Sequence, residues 1–117
     1  MTPEQLRASC LALLGATEEW PFRAPSPSTF KVGGRIFAIS RLDAEPLTVS
    51  LKCEPELALA LRASHPEIRP GYHLDKRHWN TVALDGDLPD EMVVGLIEDS
   101  YDLVVDGLPR KRRPIRR

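Results

Sequence analysis

Apolar and polar residues alternate most strictly over residues 47–53, LTVSLKC. Leu47, Val49, Leu51 and Cys53 fall on one side of the chain and Thr48, Ser50 and Lys52 on the other. That is the period of a strand with one core face and one solvent face. HWNTVAL, residues 78–84, repeats the pattern. Val82 and Leu84 claim the core side, which turns Trp79, Thr81 and Ala83 outward. Trp79 is therefore expected to be at least partly exposed and Trp20 to be the more buried of the two tryptophans.

TFKV-GG-RIFAIS, from Thr29 to Ser40, reads as a β-hairpin, because Gly33-Gly34 tolerates the positive φ angles of a two-residue turn between apolar runs. The turn predicts Val32 opposite Arg35, Lys31 opposite Ile36 and Phe30 opposite Phe37. Phe30, Val32, Phe37 and Ile39 then share one face, and Thr29, Lys31, Ala38 and Ser40 the other. Residues 18–22 suit a short strand, and the Pro- and Ser-rich stretch 23–28 suits a loop.

The period changes in three other places. Thr2-Pro3-Glu4-Gln5 has a Thr N-cap, a Pro at the first helical position and a Gln that closes a capping box. Leu6, Cys10, Leu13 and Leu14 follow at helical spacing, and Gly15 supplies the stop. Pro55 opens a second helix, PELALALRAS, which ends before Pro66. Pro89 opens a third, with Met92, Leu96, Tyr101, Val104 and Val105 toward its buried side and Gly107 and Pro109 at its end.

Helix, strands with an inserted short helix, then helix predicts an α+β fold. Its form is a two-layer sandwich with the N- and C-terminal helices packed on one face of an antiparallel sheet. At 117 residues the chain suits one domain, expected over residues 1–109. No apolar run reaches the roughly 20 residues of a membrane span. The N-terminal stretch has no basic segment ahead of its apolar residues, so a signal peptide is not expected. Cys10 and Cys53 fit no CxxC pattern and read as small buried thiols in a reducing cytoplasm.

Charge alters the picture more than composition does. The net charge is −1, but Arg110–Arg117 holds six of the sixteen basic residues and no acidic one. Residues 1–109 are left with ten basic and seventeen acidic residues, a net −7. An acidic body with a basic tail, itself expected to be disordered, weakens any claim that the whole domain binds polyanions.

Three segments, LKCEPELALALR, HPEIRPGYHLDKRHWNTVALDG and IEDSYDLVVDGLP, resemble the MmcQ/YjbR family of small bacterial proteins. The likeness runs from about residue 5 to residue 110. Lys52, Pro70, His73, Trp79, Asn80, Val82, Ser100 and Tyr101 stand at positions matching its pattern. The resemblance implies a frataxin-like (CyaY-like) fold with a curved sheet. It also implies DNA binding through β-hairpins likened to a double wing, with no catalytic residues to carry over.

PGYHLDKRHWNTV, residues 70–82, concentrates the reactive side chains. His73 and His78 are five apart, which suits neither a helix face nor one strand face, and no cysteine lies nearby to complete a zinc set. No metal or cofactor is expected. The acidic ridge of frataxins is missing from the first helix; Asp90, Glu91, Glu98, Asp99, Asp102 and Asp106 on the last helix read as a solvated face. His73 and Asp75 have no nucleophile placed beside them, and no glycine-rich phosphate loop exists, so an enzyme is not expected.

Binding remains. An exposed Trp79 beside Lys31 and Lys52, with Arg69, His73, Lys76 and Arg77 near its edge, suits stacking on a base while cations meet phosphates. Arg110, Lys111, Arg112 and Arg113 of the tail add charge. The same group suits a protein-interaction hot spot or a small-ligand site, since Trp and Arg dominate interfaces too. In a purely structural role, Trp79 would pack under the short helix or residues 66–74, with Lys52 paired to Glu54 or Asp75. The expectation is a cytoplasmic monomer that binds nucleic acid, DNA first, with weak sequence preference, or alternatively a protein-interaction or ligand-binding adaptor.

Overall fold

The computed structural model describes residues 1–20 and 27–115. Most of the loop expected over 23–28, and the end of the strand expected over 18–22, lie outside the described residues. The elements are α1 (Pro3–Leu11), β1 (Thr17–Glu19), β2 (Ser28–Val32), β3 (Arg35–Ser40), β4 (Thr48–Lys52), α2 (Pro55–Ser64), β5 (Ile68–Pro70), β6 (Trp79–Ala83) and α3 (Asp90–Asp106). The strands form one antiparallel sheet in the order β1-β2-β3-β4-β6-β5. α3 packs across β2, β3 and β4 with α1 beside it, and α2 lies against β5. The fold is α+β in two layers, and no described helix is long and apolar enough to cross a membrane.

Local chemistry explains the helix starts. The Thr2 hydroxyl accepts from the Gln5 amide and the Gln5 side chain accepts from the Thr2 amide, closing the predicted capping box. α2 begins at Pro55, as predicted. β5 was not predicted. It is a three-residue edge strand, the one place in a sheet where the missing N–H of Pro70 costs no rung.

The hairpin keeps its predicted register only near the turn. Val32 faces Arg35 and Lys31 faces Ile36, but a bulge then sets Phe30 opposite Ala38, not Phe37. Phe37 and Ala38 are consecutive and both fully buried. The alternation flips there, so Ile39 lies on the open face and Ala38 and Ser40 turn inward, against expectation. β3 and β4 pair only at Ala38–Leu51 and Ile39–Ser50. Where the ladder stops, Ser100 of α3 replaces a rung. Its fully buried hydroxyl donates to the Phe37 carbonyl (2.6 Å) and accepts from the Lys52 amide (2.8 Å). Two backbone groups that the bulge would orphan are thereby satisfied.

The core is centred on Phe30, Phe37, Leu6, Ile97, Val49 and Val82, and each large side chain there is worth roughly 1.5–3 kcal/mol of burial. Tyr101 stands edge-on to Phe37 at 5.5 Å, and its hydroxyl donates to the Leu14 carbonyl, tying α3 to the end of α1. In the second half of α3 the predicted Tyr101, Val104 and Val105 are buried, but in the first half Val93 and Ile97 take the buried positions and Met92 and Leu96 only border the core. Cys10 and Cys53 are buried free thiols. Burial, with help from the charge of Glu18, pushes Cys10 up to about 12. Trp79 is partly exposed, as expected, but the ranking of the tryptophans is reversed: Trp20, next to the end of β1, is 59% exposed and is the less buried of the two.

The C-terminal segment also departs from expectation. Arg110–Arg112 forms a 3-10 turn, and Arg113 donates to the carbonyls of Leu108 (3.0 Å) and Asp106 (2.8 Å). Arg35 donates to the Gly107 carbonyl, so two guanidinium groups cap the last turn of α3. A Cβ on Gly33 would sit 2.5 Å from Leu108 and 2.9 Å from the Arg112 carbonyl. The bare hairpin tip is what lets the segment fold back.

Candidate functional site

The 70–82 stretch is first of all a built loop. Asp75 organises a turn: its carboxylate accepts from the Arg77 amide (3.0 Å) and pairs with His78 Nδ1 (2.7 Å), and its carbonyl accepts from the Trp79 amide. The bond to His78, and then the one from Arg77, hold the Asp75 carboxyl below the ordinary range. Lys76 Nζ reaches back to the Gly71 carbonyl (2.9 Å). From α2, Arg62 donates to Asn80 Oδ1 (2.6 Å) and to the carbonyls of Trp79 and Lys76. Sequence reading missed Arg62; its signal was a lone cation in the last turn of a short, mostly apolar helix.

The loop crosses the open face of the sheet. The Tyr72 amide donates to Thr81 Oγ1 (3.0 Å), and Gly71 lies so close that a Cβ there would meet Trp79 Cβ at 2.8 Å. This covers Trp79 in part, as the purely structural role required. His73 sits at φ +57, a left-handed conformation uncommon outside glycine, with its ring 4.0 Å from that of Tyr72.

The predicted outward set of β4 and β6 is correct. Lys52 lies opposite Trp79, Ser50 opposite Thr81 and Thr48 opposite Ala83. The loop divides this face. On one side of it, Thr48, Ser50, Thr81 and Ala83 form the floor of an open trough of about 1320 Å³. One wall holds Arg69, Tyr72 and His73, the other Arg41, Ala44 and Pro46, and Glu67, Asp85 and Asp87 line one end. On the other side lie Trp79 and Lys52.

Strand directions then sort the charges. The Gly33-Gly34 tip, Lys52, the 71–78 loop and the 110–113 turn all lie at one end of the sheet. The connections 41–47 and 84–89, with Asp43, Glu45, Asp85 and Asp87 against Arg41, lie at the other, while Glu54, Asp75 and Asp106 are the acidic residues of the first end.

The predicted binding residues therefore separate. Lys31 is ion-paired to Glu19 (2.5 Å), Lys76 is turned to its own loop and Arg113 caps α3. Arg69 and His73 face the trough. Lys52, Trp79, Arg77, Arg110, Lys111 and Arg112 remain at the basic end. Lys52 makes no ion pair with Glu54, Asp75 or any other described residue. His73 and His78 are held in different settings, one against Tyr72 and the other against Asp75.

Among known proteins, the family model described as YjbR matches residues 11–103. The chain is 38% identical to the Escherichia coli K12 protein YjbR over 119 aligned positions, covering 98% of this chain and 97% of that one. It is 42% identical to Bacillus subtilis YyaQ over 47% of this chain and 46% of that protein. The crystal structure of Deinococcus radiodurans protein DR2400 superposes with a TM-score of 0.87 at 40% identity, covering 95% of this chain and 84% of that one. A Pseudomonas syringae crystal structure superposes at 0.76 with 28% identity, over 88% of this chain and 98% of that one. The curated relatives are described as uncharacterised, so the likeness transfers architecture and not an activity. By sequence and by fold alike, the chain belongs to the YjbR family.

Proposed function

We propose that this protein is a non-catalytic nucleic-acid-binding module, and that its contact surface is the basic end of the sheet. The observation that carries the reading is the segregation of charge along the strands. Lys52, Arg77, Arg110, Lys111 and Arg112 gather at the end that holds Gly33-Gly34, and Trp79 stands beside Lys52. Phosphates repelled by a −7 body would still be attracted locally, since exposed charges beyond about 8–10 Å are largely screened at ordinary salt. A half-buried Trp next to a lysine offers a base a stacking surface, and neither group reads sequence. Binding is therefore expected to be weakly selective.

The test is salt-titrated binding of the full chain to a labelled DNA duplex, compared with a variant in which Arg110, Lys111 and Arg112 are all Gln. Truncation is a poorer test, because it would also remove the Arg113 cap on α3. Each lost phosphate contact should flatten the log–log slope by about 0.9, so the triple variant should lose roughly 2–3 units of slope. An unchanged slope, or no binding by the parent chain at low salt, would remove the basic end as a nucleic-acid surface.

A further inference from the structure

The trough belongs to a different ligand. We infer that it is a docking groove for an extended polypeptide segment that carries a lysine or arginine next to apolar or proline residues. This inference does not rest on nucleic-acid binding at the basic end.

Shape sets the first limit. Small-molecule sites usually enclose about 300–1,000 Å³ and bury most of their ligand, whereas this trough is larger and open. It exists because the floor is made of small side chains, Thr48, Ser50, Thr81 and Ala83, between taller walls. The floor is also polar only in name. Ser50 and Thr81 hydrogen-bond each other (2.8 Å) and Thr81 further accepts from the Tyr72 amide, which leaves the Thr48 hydroxyl as the uncommitted one of the floor among the described residues. A sugar or other hydroxyl-rich ligand would find few uncommitted partners. An extended chain lying over methyl groups and satisfied hydroxyls would not need them.

Charge sets the second limit. Glu67, Asp85 and Asp87 line one end, and none of them makes an ion pair among the described residues. Glu67 Oε2 accepts from the Asp87 amide (3.2 Å), which brings the acidic groups together. With Arg41 and Arg69 as the cations of the lining, the trough has no positive excess for a phosphate backbone, and its end is complementary to a cationic side chain. The third feature is Tyr72, 72% exposed on the wall beside Pro66 and Pro70. A rigid, exposed aromatic flanked by prolines suits apolar or proline side chains of a partner, and such residues anchor interfaces.

Selection of short random peptides displayed on phage against the full-length protein tests this, with the Asp85→Asn/Asp87→Asn double variant and Tyr72→Ala measured in parallel. Both carry exposed substitutions that leave the core untouched. Selected peptides should carry Lys or Arg beside apolar or Pro residues, and their synthetic forms should bind each variant roughly five- to tenfold more weakly. Enrichment of acidic peptides, absence of enrichment, or binding indifferent to both variants would overturn the inference. So would displacement of the peptide by an oligothymidylate whose own binding falls with Tyr72→Ala, because the trough would then be a nucleic-acid site. Failure of duplex binding at the basic end would leave these outcomes unaffected.

Discussion

The basic end and the trough share β4, β6 and the 71–78 loop, yet they present opposite chemistry. At the basic end, Lys31, Lys76 and Arg113 already serve the structure, while Lys52, Arg77 and Arg110–Arg112 stand over the hairpin and loop. In the trough the Ser50 and Thr81 hydroxyls are committed to each other, and Glu67, Asp85 and Asp87 at its end make no ion pair among the described residues. One sheet face is thus two surfaces, and the boundary is the Tyr72 amide bound to Thr81. The lesson is that sharing a strand face does not make residues one site; what already satisfies each group decides what it can offer a partner.

Ser100→Ala should have the largest effect, because it strikes the frame beneath both surfaces. One buried and one part-buried backbone group lose their partner at about 1–3 kcal/mol each, so a total loss of roughly 2–6 kcal/mol in urea unfolding is expected. A loss below about 0.5 kcal/mol would show that the β3–β4 junction closes without the hydroxyl.

A smaller effect sharpens the division itself. Asp85→Asn/Asp87→Asn should leave the salt slope of DNA binding unchanged and raise affinity by no more than about threefold, since screening mutes charges at the far end of the sheet. A slope change comparable to that of the Arg110/Lys111/Arg112 variant would merge the two regions into one.

The smallest effect concerns the boundary loop. The folded-state pKa of Asp75 is lowered, so its stabilisation is present above the ordinary carboxylate value of about 3.9 and is lost as pH falls through the folded value. Backbone amide resonances of Arg77 and His78 should therefore move below pH ~4 while those of β4 stay fixed, and Asp75→Asn should abolish the movement. Movement centred at or above the ordinary carboxylate value would mean that the His78 contact is not formed in solution.

Much of the frame was legible because its causes are local. The capping box at Thr2–Gln5, the Gly33-Gly34 turn and the alternation of 47–53 each depend on neighbours in sequence. The misses share a non-local cause. The bulge at Phe37 is stabilised by Ser100, 63 residues away, so no reading of RIFAIS alone finds it. In α3, Met92, Val93, Leu96 and Ile97 offer two overlapping apolar stripes, and only packing on β2–β4 selects one. The tail read as disordered by composition, yet carbonyls at the end of α3 and a bare glycine at the hairpin tip give it partners. For the site, strand alternation placed Lys52 and Trp79 correctly but could not show that the Tyr72 amide would bond Thr81 on the same face.

The short β3–β4 junction bears on how the protein could be taken apart. Cleavage within residues 41–46 would yield one piece carrying α1 and β1–β3 and another carrying β4, α2, β5, β6 and α3. Each piece keeps its own strand pairings; across the cut run two register pairs, the Ser100 bridge and a few side-chain bonds such as Tyr101 to Leu14 and Arg35 to Gly107. α3 would present to the first piece the apolar face that Phe30 and Phe37 normally fill, and that buried surface would supply most of the drive to reassociate. The molecule is accordingly suited to a split reporter, in which two fused partners bring the halves together and the seam heals between them.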